Sequence, residues 1–472
     1  WAKICNRLHI WDYVINYGHN TMPFPNFRVL APNIDFFLRN HVTSVFEEAN
    51  YFSDGGEFAE LRAYVIAKLL WEPTYDVDKA IREFTDNYYG KAAPFIREYL
   101  RCLHDEVCSQ KDVHITIYSP PKHYLNDELL AKATVLFQQA QEAVKDEPTH
   151  LFRVQVAYLP IIYAKQMLSR LRLVDGKLVA NADNSQELDF FEKIARKANM
   201  TQVAENLQGR LENWLSTRRI RQKGLEVVTL KNGILSVDVL PGFGGHVWRV
   251  RLVDGLCILR TEGDDAKGYL PYDECNGYEE YSNLEYRRAG WEEPFMVKAK
   301  GTDFVEMEAT LQDGVIVTRR VELAGNSFKV ASKYTSRTLS GKRAFRTHPV
   351  FTVPRPQDAC LTIWTADGTA KSEKLGELRA PAEDWQIWLR DAWEVLLQGA
   401  KKPQGRWQLS YQTVDKRKCV ITNTFNPEDV AFCYLHLSLP NQHITLEQWS
   451  AAKDLTTTNG PSISNTYTVD VK

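Results

Sequence analysis

The sequence predicts a multidomain α and β protein: the C-terminal end of a TIM-type barrel, then a helical bundle, then a large all-β domain. Three observations predict it. Two apolar segments near the amino terminus end in polar and acidic residues, and the second runs through a Gly turn into a helix. Helical periodicity then persists to about residue 218. After Gly224 the period changes to alternation and stays there. At 472 residues the chain is too long for one core. The expected divisions are 1–75 for the barrel end, 76–220 for the bundle and 224–472 for the β domain.

Leu8–Val14 reads as a buried strand that delivers Asn16, Tyr17 and His19 to the loop behind it. His41–Tyr51 is a second apolar run, and it carries Glu47, Glu48, Asn50 and Tyr51 into Phe52-Ser-Asp-Gly-Gly56. The helix Phe58–Trp71 follows. Acids at a strand's carboxyl end, then a Gly turn and a helix, is how a βα-barrel presents chemistry. Carboxylates among Trp, Tyr, Asn and His suit a sugar site, where rings stack and acids move protons. Successive side chains on a strand face opposite ways, so at most one of Glu47 and Glu48 enters a given pocket. Asp12 lies in an apolar strand and needs a partner there: a ligand hydroxyl, Arg7 or Arg28. His9 is expected to pack within its strand. Only about two barrel strands are recognisable after Trp1, so the expectation is that the numbering starts inside a larger protein.

The helical region resolves into several segments. Phe58, Leu61, Val65 and Leu69 form one stripe. Asp76 caps a helix with Val77, Ile81, Phe84 and Tyr88 on its face, and Gly90 ends it. Pro94 sits early in the next helix. Asn126 opens Leu129–Val144, and Leu151–Leu173 is a long apolar stretch with a kink expected at Pro160. Asn184 with Glu187 reads as a capping-box variant before Leu188–Ala198. A last helix is expected over about Gln202–Leu215, followed by an exposed basic joint at Arg218–Gly224.

The β region is punctuated by turn signals. Asn232-Gly233 precedes Leu235, Val237 and Val239 on one strand face. Asp313-Gly314 and Gly325-Asn326 separate Val305–Leu311, Val315–Leu323 and Phe328–Tyr334. About 250 residues of β structure exceed an immunoglobulin-type sandwich.

Two resemblances follow from these residues. Trp11-Asp12-Tyr13, Asn16-Tyr-Gly-His19, Pro23-Phe-Pro-Asn26, Val45-Phe-Glu47 and Gly55–Tyr64 resemble the end of a glycoside-hydrolase-like barrel family of unknown function, distantly similar to alpha-glucuronidases. That resemblance implies a polysaccharide-degrading protein, weakly a uronic-acid-bearing glycan, and a secreted or periplasmic location. It falls on Glu47 as the catalytic acid or base, with Asp12, Asn16, Tyr17, His19, Glu48, Asn50 and Tyr51 as substrate contacts. The segment Leu230–His246, with its Gly-Gly bend, resembles the start of a galactose-mutarotase-like supersandwich. Arg346-Thr-His-Pro-Val-Phe351 resembles that family's ring-oxygen histidine motif, and Thr445-Leu-Glu-Gln448 its base glutamate motif. The resemblance implies sugar contacts from His348 and Glu447. No histidine stands between Gly268 and Trp291, where the family's second one is expected, so binding without mutarotation is the expectation. Trp291, Glu292 and Glu293 are loop residues with no role assigned.

Charge is balanced, 58 basic against 60 acidic residues, which gives no electrostatic case for nucleic acid or a membrane surface. No long apolar segment occurs. The eight cysteines form no CxxC pair, so neither a disulfide framework nor a zinc site is indicated. Phosphate-loop, dinucleotide, His-Glu-x-x-His and Gly-x-Ser-x-Gly patterns are absent, and no cofactor or metal is expected. The partner class this leaves is an oligo- or polysaccharide. Alternatives to hydrolysis are non-catalytic carbohydrate binding, or aldose epimerisation in the β domain.

Overall fold

The computed structural model describes residues 1–472 apart from 111–112, 120, 122–123, 181–183, 206–208, 260–268, 271–276, 284–288, 378–391 and 440–441. The described residues form two compact units, Trp1–Ser169 with Asn181–Gln222, and Arg170–Ala180 with Lys223–Lys472.

The first unit opens with β1 (Leu8–Tyr13), α1 (Phe27–Arg39) and β2 (Val42–Glu48). The two strands pair in parallel, with Trp11 opposite Phe46, Asp12 opposite Glu47 and Tyr13 opposite Glu48. Parallel neighbours joined through a helix are the βα repeat the sequence predicts. Among the described residues no further strand joins the pair, so a closed barrel is not present. The strands are not buried throughout, as Leu8–Val14 led us to expect. Burial alternates along β1, with Leu8, Ile10 and Asp12 on the sheltered face and His9, Trp11 and Tyr13 exposed. His9 therefore lies at the surface beside Ser44 Oγ, rather than inside the strand.

Helices fill the rest of this unit. After α2 (Ala59–Trp71), the Asp76 carboxylate accepts from the Lys79 N–H at 2.9 Å and starts α3 (Val77–Tyr89). Gly90, at φ +55°, stops it. Asn126 Oδ1 accepts from Leu129 N–H at 2.8 Å and starts α5 (Asp127–Ala143), which follows α4 (Ala93–Ser109). Rings lock these helices together: Phe137 lies 5.2 Å from Tyr99 and 5.3 Å from Tyr158.

Five local expectations are corrected. The apolar run Leu151–Leu173 is not one helix: α6 spans Pro148–Leu168, and Leu171–Val174 pairs with Lys177–Ala180 as a hairpin. Asp175 and Gly176 both take positive φ there, and β-branched Val174 and Val179 favour strands. That hairpin pairs with Leu225–Glu226 and Tyr269–Leu270, so one strand pair of the β unit precedes the change of period. The last helix, α8 (Leu211–Gln222), starts later than expected. It takes in the basic stretch, where Arg218 and Arg221 are buried rather than exposed at a joint. Finally, Asn184 precedes α7 (Ser185–Lys197) without a side-chain capping bond.

In the second unit two large antiparallel sheets share one core. The eight-stranded sheet runs, edge to edge, Ala392–Leu397, Val430–Ser438, His443–Ser450, Arg346–Thr352, Tyr278–Tyr281, His246–Leu252, Leu235–Leu240 and Val228–Lys231. The nine-stranded sheet includes Phe304–Thr310, Ile316–Ala324, Ser327–Thr335 and Ser462–Val471. Val237, Phe351 and Leu446 from one meet Val305, Val321 and Trp407 from the other in a single cluster. Edge contacts such as Phe351 on Trp407, at 5.7 Å, tie the layers face to face. Period two then puts the alternate residues of the eight-stranded sheet on its outer face.

Candidate functional site

Two groups of side chains carry chemistry, one in each unit. In the first, the parallel register sets Asp12 and Glu47 side by side on the sheltered face. Asp12 accepts from the Tyr13 N–H at 2.9 Å, and Arg28 pairs with Asp105 at 2.6 Å rather than with Asp12. Glu47 Oε2 is buried with no hydrogen-bond partner among the described residues. Burial first, and the neighbouring Asp12 charge second, push the Glu47 carboxyl up to about 7. Two neighbouring carboxyl groups, one of which keeps its proton to higher pH, meet the electrostatic condition of a general acid.

Glu48 faces the other way. It accepts from the indole N–H of Trp11, and its carbonyl accepts from the Tyr17 hydroxyl at 2.9 Å. Burial and the Glu48 charge hold the Tyr17 phenol protonated, well above its ordinary range. The remaining strand-end residues are divided among structural contacts. The buried Asn16 amide donates to Ser119 O at 2.8 Å, His19 Nδ1 lies 2.9 Å from the Tyr163 hydroxyl, and Asn50 donates to Ser53 O at 2.7 Å. Tyr51 is exposed and edges onto Phe52 at 4.9 Å. The structure thus joins Glu47 with Asp12, joins Glu48 with Tyr17, and sets His19 on Tyr163.

Behind the strand ends, the sequence did not single out a buried ion pair at the start of α2. Arg62 binds Glu57 and Asn26, with its guanidinium 4.8 Å over the Phe27 ring. Both charged groups are buried, so each depends on the other for stability. Asn26 in turn donates to Val14 O at 2.9 Å, which ties the pair to the end of β1.

The second group lies on the outer face of the eight-stranded sheet. His348 Nε2 lies 3.5 Å from Glu447 and its Nδ1 lies 3.6 Å from Glu279. His348 and Glu279 are direct antiparallel neighbours, and Arg346 is opposite Trp449 on the next strand. Arg346 grips Glu447 through two nitrogens, the Nη2 contact being 2.7 Å, and Trp449 Nε1 donates to the same carboxylate at 3.1 Å. Tyr281 donates its hydroxyl to Glu279 and lies 6.2 Å, ring to ring, from His348. Where a second histidine was sought in the sequence, the chain supplies Glu279. Strand period puts Glu279 and Tyr281 on one face, and the register sets Glu279 opposite His348 and Tyr281 opposite Arg346.

The inner face at the same strands is structural. Glu280 is fully buried on Arg319 at 2.7 Å, and Arg319 also donates to Gly244 O at 2.6 Å and Gly245 O at 3.0 Å. Both glycines take positive φ, and a Cβ at Gly244 would stand 2.2 Å from the Trp291 carbonyl oxygen. The Gly-Gly bend is therefore required by a close backbone approach. Glu293 accepts from the Gly290 N–H at 2.9 Å, so this acid holds its own loop.

No group of three or more metal-ligating side chains occurs among the described residues. No helix among them is long and apolar enough to cross a membrane.

Residues 1–101 match the family model described as Domain of unknown function (DUF4838). No curated protein matches the chain. Among solved structures, a putative aldose 1-epimerase from Escherichia coli K12 is 13% identical, with 52% of this chain and 99% of that one covered and a TM-score of 0.39. A galactose mutarotase related enzyme from Lactobacillus acidophilus is 12% identical, covering 52% of this chain and 97% of that one at a TM-score of 0.36. The 4-alpha-glucanotransferase from Thermococcus litoralis is 8% identical, covering 93% of this chain and 70% of that one at 0.35.

Proposed function

We propose that this is a glycoside-hydrolase-like protein of polysaccharide breakdown in which Glu47 is the proton donor to the leaving glycosidic oxygen. The observation that carries the reading is the pairing of Glu47 with Asp12 across the parallel strands, with Glu47 Oε2 buried and without a hydrogen-bond partner among the described residues; burial and the Asp12 charge raise its carboxyl to about 7. A carboxyl that keeps its proton near neutrality can give it up as the bond breaks. Burial holds that proton in place, and like-charge repulsion from Asp12 adds to it. Hydrolysis also needs a second carboxylate, as base or nucleophile. The reading implies a secreted or periplasmic protein and needs no cofactor. Glu47→Gln keeps the shape and removes the titratable group. Unchanged turnover of a confirmed glycan substrate in that variant would defeat the proposal.

A second reading applies to the β unit, as a carbohydrate-binding module without epimerase chemistry. The bidentate hold of Arg346 on Glu447 favours it, because a carboxylate so engaged is a poor base for a sugar hydroxyl. Polarimetry with simple aldoses on the whole protein tests this. Mutarotation that vanished in Glu447→Gln would make the unit an enzyme instead.

A further inference from the structure

The exits of β1 and β2 are tied together at Arg62. Its guanidinium donates to Glu57, just before α2, and to Asn26, just before α1. Both charged side chains are almost sealed from solvent, Arg62 at 2% exposed and Glu57 at 3%. The Asn26 amide passes the contact on, donating to Val14 O at 2.9 Å. Val14 in turn donates its N–H to Glu48 O at 3.1 Å. The last hydrogen bond between the strands and the tie to Arg62 therefore fall on one residue. Asp12 and Glu47 pair across the strands just before it.

The exit of β2 is held as closely. Gly55 takes φ +74°, Phe58 takes a left-handed φ of +44° at the foot of α2, and a Cβ on Gly56 would stand 2.9 Å from the Asn50 amide nitrogen. A bulky residue in the left-handed region persists only where its surroundings over-determine it. Phe58 is buried, and the Glu57 N–H donates to Asn20 O at 3.2 Å, in the loop that leaves β1.

Stability alone does not call for charge here. Taking two charges out of water is costly, and an apolar pair of similar volume is often as stable. What an apolar pair lacks is direction. A guanidinium only donates, so Asn26 turns its oxygen to Arg62 and its NH2 to Val14. The planar fork serves Glu57 and Asn26 together, where an ammonium is a single point of charge.

We infer that Arg62, anchored by Glu57, is a positioning residue for the Glu47–Asp12 pair, acting through Asn26 and Val14 on the strand ends. The inference rests on the reading of Glu47 as proton donor. Arg62 works at one remove. Loosening it lets the strand ends part, water reach Glu47 and Asp12 drift away, which weakens both causes that keep the Glu47 proton on.

The pH window in which Glu47 titrates reads this without a substrate. The difference in melting temperature made by Glu47→Gln is followed from pH 4 to 8 in four backgrounds: wild type, Asn26→Leu, Arg62→Lys and Phe137→Leu. Asn26→Leu cuts the tie to Val14 and leaves the ion pair. Arg62→Lys keeps the charge and gives up the fork. Phe137→Leu hollows the helical packing away from the tie, so it shows what lost stability does by itself. In Asn26→Leu and Arg62→Lys the window should move down by about one pH unit or more, towards the ordinary 4.5, and in Phe137→Leu it should stay in place. A folded Asn26→Leu or Arg62→Lys protein whose window does not move overturns the inference, as does an equal shift in Phe137→Leu. Should one of the two variants fail to fold, the other decides. Turnover of a confirmed glycan that survives Glu47→Gln, with the windows still moving, defeats the donor reading and leaves the positioning. Windows that stay while Glu47→Gln abolishes turnover do the reverse, so the two failures are distinguishable.

Discussion

Glu47 and Glu447 are both carboxylates on strands, and their surroundings make opposite groups of them. Among the described residues Glu47 is acted on by burial and by a neighbouring acid, Asp12, and both favour keeping its proton on. Glu447 has a guanidinium locked across both oxygens, with an indole N–H and an imidazole close by. Burial and repulsion favour the protonated form of the first, and the second is held as a hydrogen-bond acceptor. The lesson is that residue type at a strand end says little until its counter-charge is known.

The largest expected effect comes from removing that counter-charge. Arg346→Met keeps the bulk of the side chain and strips Glu447 of its guanidinium, leaving a nearly inaccessible carboxylate under-compensated. Breaking a buried pair in this way costs about 3–5 kcal/mol, measurable as a lower urea midpoint at pH 7. A loss below about 1 kcal/mol would mean that the grip is dispensable and that the contrast with Glu47 is overdrawn.

The next effect is kinetic. Glu47→Gln should lower turnover on a confirmed glycan by on the order of a hundredfold or more, the usual contribution of a positioned proton donor. Glu48→Gln should not match it, because Glu48 lies on the opposite strand face and is tied to Trp11. Equal losses in the two variants would erase the distinction drawn between the faces.

Much of this arrangement was readable in advance, and the failures have physical causes. Helix stops and starts at Asp76, Gly90 and Asn126 were legible because their signals are local: a side-chain cap or a left-handed residue acts within one turn. The split between Glu47 and Glu48 follows from strand period alone. The hairpin at Leu171–Ala180 was hidden because Leu171-Arg-Leu-Val174 continues an apolar run, and only the Asp175-Gly176 turn marks the break. The basic stretch at Arg218–Arg221 read as exposed because burial of arginine is decided by tertiary neighbours that no window shows. Arg62 reaches Asn26 from α2, and nothing in its own segment announces it. Arg346 and Trp449, by contrast, were within reach. Each stands two residues from a residue already singled out, His348 and Glu447, and therefore on the same face.

A smaller effect tests the packing behind β1 and α1. The buried His104 accepts the Phe27 N–H at Nε2, 3.1 Å away, and bonds to Leu100 O through Nδ1 at 2.8 Å, which fixes the neutral tautomer at the start of α1. Burial lowers its pKa to about 4. The folded state then binds fewer protons than the unfolded chain below about 6.5, so stability is complete above that pH and drains away as pH falls towards 4. An NMR titration should find the His104 ring neutral throughout the range above pH 5. An ordinary midpoint near 6.5 would show that the ring is not buried as described.

The smallest effect bears most directly on the comparison, because it reads the Glu47 proton without needing a substrate. A carboxyl raised from 4.5 to about 7 binds more protons in the folded state than in the unfolded chain across that window. Stability contributed by Glu47 must therefore fall as pH rises from about 4.5 to about 7, and stay level above it. Gln cannot titrate, so the melting temperature of Glu47→Gln relative to wild type should climb through the same window and then plateau. Because Glu47 is only partly buried, solvent screening keeps the climb modest. A flat difference from pH 4 to 8 would mean that Glu47 titrates as an ordinary surface acid, and its role as proton donor would go with it. Asp12→Asn separates the two causes. Burial is the larger and Asp12 the smaller, so removing the Asp12 charge should shift the climb to lower pH and shrink it without abolishing it. If Asp12→Asn abolished it altogether, repulsion and not burial would be what holds the proton, and opening the strand ends to water would leave Glu47 just as able to donate.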